Sequence, residues 1–127
     1  MHLKQIMEED SHDRALESHQ AYPIEIYSDR IPLYLKLQIN LTKTPLNIYM
    51  RVNDEEDESD IDEEIKFDVR MFFSTTERKP SAKKCDYKCR GKYASIDLAK
   101  DLGNPTSEIL NVAFTSKVGF KVFFAYC

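Results

Sequence analysis

Residues 54–64 hold nine carboxylates in eleven positions, interrupted only by Ser59 and Ile61. Carboxylates this closely spaced repel one another, and a cation or a basic partner relieves the repulsion. One chemistry they suit is calcium binding, which takes roughly six to eight oxygen ligands. Asp54, Asp57, Asp60 and Asp62 are the candidate ligands. An EF-hand register fails: counted from Asn53, the last place falls on Glu64, but the turn position that needs glycine falls on Glu58. The plainer expectation is a solvated acidic loop, because charges beyond about 8 Å are screened at physiological salt.

A second charged stretch follows at 77–92. Arg78, Lys79, Lys83, Lys84, Lys88 and Arg90 lie there with Lys92, and from Arg78 onward only Asp86 opposes them. The chain carries −4 overall, and setting aside the nine acids of 54–64 turns the remainder to +5. Charge is therefore segregated, which suits contacts with charged partners or attraction between the two loops. Arg78, Lys79, Lys83, Lys84, Lys88 and Arg90 are the candidate partner-binding residues. An acidic protein surface such as a tubulin tail fits them, as does anionic lipid. Tyr87 and Tyr93 interleave with the lysines, as in single-strand nucleic-acid binders. The net acidic chain has no nucleic-acid motif, so nucleic acid is disfavoured and both rings are read as packing residues.

Cys85 and Cys89 are too widely spaced for an ordinary zinc pair, and Cys127 is the one further thiol. His2, His12 and His19 all fall before residue 20. The neighbouring cations Lys84, Lys88 and Arg90 favour a lowered thiol pKa, which keeps a redox or hydrolytic role for Cys85 or Cys89 as a third class. The sequence lacks a Gly-x-Ser-x-Gly turn, a phosphate-cradling glycine loop and a His-Glu-x-x-His helix, so a non-enzyme is expected.

The elements that must carry these groups read as strands. Apolar residues alternate at Leu33, Leu35, Leu37, Ile39 and Leu41, then at Leu46, Ile48, Met50 and Val52. They alternate again at Ile65, Phe67, Val69, Met71 and Phe73, and at Val118, Phe120, Val122 and Phe124. A period of two marks a strand with one apolar face. With 22–27, 92–98 and 109–114 the count reaches about seven strands. Short links at 42–45 and 115–117 predict two antiparallel hairpins. The expected fold is an all-β antiparallel sandwich over 21–127, with a barrel as competitor and a short arm at 1–20 that is flexible or partly helical.

At 127 residues this is one domain by length. The longest apolar runs are a few residues, too short for a membrane helix. Met1-His2-Leu3-Lys4-Gln5 lacks the apolar core of a signal peptide, and an odd number of cysteines suits a reducing compartment. The expected location is cytoplasmic, leaving the Asn40-Leu41-Thr42 sequon unused.

The segment Pro45-Leu46-Asn47-Ile48-Tyr49-Met50-Arg51 resembles the central strand of pre-peptidase C-terminal domains, and the stretch from Val118 to Tyr126 resembles their last strand. That closing stretch is also similar to the Ile-Gly-Phe strand of the C2-like domain of calpains, which carries an acidic loop between strands. Asn47 departs from the aspartate of the first family, and the arginine-rich loop of the second is missing. The resemblance implies a non-catalytic β-sandwich of accessory character. The expectation is thus a protein-interaction or structural module within a larger assembly, with a calcium- or lipid-responsive C2-like module as the alternative.

Overall fold

The computed structural model describes residues 14–52 and 68–127. Within them are nine strands and no helix: β1 (Ala15–Leu16), β2 (Tyr22–Ile26), β3 (Leu33–Gln38), β4 (Leu46–Val52), β5 (Val69–Ser74), β6 (Tyr87–Arg90), β7 (Tyr93–Ile96), β8 (Ile109–Ser116) and β9 (Phe120–Tyr126). They form two sheets, ordered β1-β3-β8-β5-β6 and β2-β9-β4-β7. All pairings are antiparallel except β1 with β3. The expected all-β sandwich is the fold. No helix among the described residues is long and apolar enough to cross a membrane.

Alternation places one apolar row of each strand between the sheets. Leu35, Val112 and Phe73 lie side by side in the first sheet, and Tyr22, Phe124 and Met50 in the second. All six are buried. Phe114 of β8 meets Phe124 of β9 edge-on, with ring centroids 5.3 Å apart, and so joins the two sheets. Rings in this geometry add attraction beyond their buried area. The other joint is Tyr126, only 1% exposed. Its hydroxyl lies 2.5 Å from the Leu16 carbonyl and 2.8 Å from the Gln38 carbonyl, so one proton is shared between β1 and the end of β3.

The seven expected strands correspond to β2, β3, β4, β5, β7, β8 and β9; positions 65–67 of the expected fifth segment lie outside the described residues. Two further strands appear. β1 occupies part of the expected arm, and the His19 N–H donates to the Tyr126 carbonyl at 2.8 Å, so residues 14–20 are attached to the sandwich. β6 occupies part of the expected basic loop.

Both expected hairpins are corrected. β3 and β4 lie in opposite sheets, and so do β8 and β9. Their short links cross the sandwich instead of turning back within a sheet. Each apolar row reaches the shared core from its own side, a solution that link length does not distinguish from a hairpin. The link between β6 and β7 crosses in the same way, with Gly91 at a φ of 112° that side chains rarely adopt.

Candidate interaction surface

The six basic candidates lie on β6 and on the loop that joins β5 to it. β6 alternates strictly: Tyr87 and Cys89 are half-buried and pack against the core, while Lys88 and Arg90 are exposed. Lys88 stands opposite Phe72 and Arg90 opposite Arg70 on the sheet's outer face. Arg90 donates through Nε to Asp68, and Arg70 pairs with Asp29 at 2.8 Å, so two adjacent guanidiniums each have a carboxylate. The hydrogen bond from Arg90 holds the Asp68 carboxyl below its ordinary range.

Arg78, Lys79, Lys83 and Lys84 sit on the loop 75–86, and all four are exposed. This loop has a defined shape. At its start the Ser74 hydroxyl accepts from the N–H groups of Thr76 and Glu77, at 3.1 and 2.9 Å. At its close Asp86 accepts from the Thr75 N–H at 3.0 Å, and its own N–H donates to the Phe73 carbonyl at 2.8 Å. Ser81 and Lys84 exchange backbone bonds at the tip. The loop folds back over its own sheet: Pro80 is buried, and the Lys79 ammonium lies 5.6 Å from the centre of the Tyr34 ring on β3. A cation over an aromatic face is attracted by the ring quadrupole. Tyr34, Ala113 and Phe72 are neighbours across the outer face, and Ala113 and Phe72 are buried there.

Among the described residues Arg78, Lys83, Lys84 and Lys88 have no ion-pair partner. The result is a cationic ledge: a hydrogen-bonded loop beside a charged edge strand. Asp54, Asp57, Asp60 and Asp62 lie outside the described residues. No group of three or more His, Cys, Asp or Glu among the described residues is placed to hold a metal ion.

All three cysteines are free thiols. Burial pushes the Cys89 thiol up to about 11 and also raises Cys85. This reverses the lowering expected from Lys84, Lys88 and Arg90: the cations point outward while Cys89 points inward. Tyr87 packs on the core near Phe73, at 6.1 Å between ring centres, as expected of a packing residue. Tyr93 does not: it is 55% exposed.

The second sheet presents an outer face that sequence reasoning missed. Tyr93 and Tyr49 are cross-strand neighbours with ring centres 5.3 Å apart, and the Tyr93 hydroxyl donates to Asn47 at 3.1 Å. The Arg51 guanidinium lies 5.2 Å from the centre of the Phe123 ring. The available signal was the set of aromatic and basic residues at the polar positions of β4 and β9.

At the end of β3 and the start of β8, a polar groove of about 550 Å³ is lined by residues including Glu17, Gln20, Gln38 and Glu108. Beside it His19 and Cys127 line a cavity of about 100 Å³. A histidine therefore does sit on the sandwich, contrary to the expected confinement of all three to an arm. Comparison with family models, curated proteins and solved structures found no match.

Proposed function

We propose that this chain is a non-catalytic protein-interaction module that docks an acidic partner on the ledge formed by β6 and the loop 75–86. The supporting observation is that Arg78, Lys83 and Lys84 on the loop and Lys88 on the strand that follows it are exposed and have no ion-pair partners among the described residues. The loop's backbone is fixed by Ser74 and Asp86, which lowers the ordering cost of binding. Solvent-exposed charges on such a ledge steer an acidic segment and select its sign. The module would act as an accessory domain or subunit of a larger assembly.

The test is titration calorimetry with a glutamate-rich peptide of tubulin-tail character. Replacing Arg78, Lys79, Lys83 and Lys84 together with glutamate is expected to lower affinity by on the order of a hundredfold at low salt. Unchanged affinity, with the variant's melting curve intact, sinks the reading.

A further inference from the structure

We infer that the acidic partner binds as an added β-strand along the open edge of β6. This rests on the docking reading above and specifies how the partner is held. Among the described residues β6 ends the first sheet, with β5 as its one ladder partner. Gly91 donates its N–H to the Val69 carbonyl at 2.9 Å, one step past the register that pairs Arg70 with Arg90. In an antiparallel ladder the hydrogen-bonding direction alternates. Residues 87, 89 and 91 therefore turn their main-chain groups toward β5, and Lys88 and Arg90 turn theirs toward the open edge.

The same alternation sets the partner's sequence. Residues opposite one another on paired strands project to one face. Partner residues beside Lys88 and Arg90 stand on the outer face, where carboxylates complement the cations. Partner residues beside Tyr87 and Cys89 stand on the inner face, against two half-buried apolar side chains. The ligand is thus an extended segment alternating acidic and apolar residues, a peptide-recognition mode with main-chain affinity and side-chain selectivity.

A second copy of the chain does not fit this edge. Antiparallel β6 against β6 sets Lys88 opposite Arg90 or one of them opposite its own copy, and like charges facing each other repel. The other edges lack this selectivity: β1 has two residues, β2 carries Pro23 and Glu25, and β7 is uncharged.

The test uses a capped peptide of alternating glutamate and valine, a block-ordered peptide of the same composition, and the alternating peptide N-methylated at every second residue in either register. Strand addition predicts that the alternating peptide binds about tenfold or more tighter than the block-ordered one. It also predicts slowed amide exchange at Lys88 and Arg90, loss of binding in one N-methylated register, and weakening by Lys88→Glu. Equal binding of the alternating and block-ordered peptides without protection of those amides overturns strand addition and leaves charge docking standing. Binding of no peptide overturns both.

Discussion

The two outer faces of this sandwich are treated differently by the chain. The loop 75–86 reaches over part of the first sheet's outer face, where Lys79 lies against Tyr34. Among the described residues the second sheet's outer face has no such cover. The difference is written in the strands. β4, on the open side, keeps alternating, with Tyr49 44% exposed between buried Ile48 and Met50. β5 and β8, on the covered side, lose alternation: Phe72, Ala113 and Asn111 are buried along with the core row. A strand reads as two-faced only when one of its faces meets water.

Truncating a ring on each face is the strongest way to break this comparison. Phe72 is 8% exposed on the first sheet's outer face, opposite Lys88. Phe72→Ala should cost about 3–5 kcal/mol if the loop is a true lid over a second small core. Tyr93→Ala, on the open face, should cost no more than about 1 kcal/mol, because little burial is lost. Chemical denaturation of both variants gives the two values. Equal costs would mean that the loop does not seal the first sheet.

Those outer faces also mark where the sequence was legible. The period of two exposed seven strands because their apolar rows line a common core. β1 was invisible because two residues carry no period. β6 was hidden by its own chemistry: Lys88 and Arg90 suggested a loop, although with Tyr87 and Cys89 they keep a strand's alternation. The hairpins failed because a short link constrains distance and not sheet membership. Of the candidate site, the basic residues were legible as a cluster by charge. Their division between a folded-back loop and an edge strand was not, since it depends on Pro80 and Lys79 reaching the outer face of β3 and β5. Tyr93 reads as a packing residue and Tyr49 as a residue of the polar row of its strand, because nothing local tells which side of a sheet stays uncovered.

The joint between the sheets yields a smaller effect. Tyr126→Phe removes the hydroxyl that serves the Leu16 and Gln38 carbonyls. A lost buried hydrogen bond with its acceptors left behind should cost about 1–3 kcal/mol. The loss should be local as well as global: β1 is two residues long, and among the described residues its ladder partner is β3. Hydrogen exchange should show residues 15–16 opening ahead of the rest in the variant. Uniform loss of protection would place β1 within the cooperative core of the first sheet instead of at its margin.

The smallest effect compares the two sides of β6 itself. Lys88 faces water while Cys89 faces the core, where burial holds its thiol up to about 11 against an ordinary 9.0. A thiol raised in the folded state ionises first in the unfolded chain. Its contribution to stability is therefore complete below about pH 9 and is lost as pH rises through about 11. In a C85S/C127S background Cys89 is the sole thiol. Alkylation at pH 9 should be slow in the folded protein and fast after denaturation, since only the thiolate reacts. Fast alkylation of the folded protein would mean that the inner side of β6 is open to solvent. It would also remove the apolar half of the edge along which the added strand is proposed to lie.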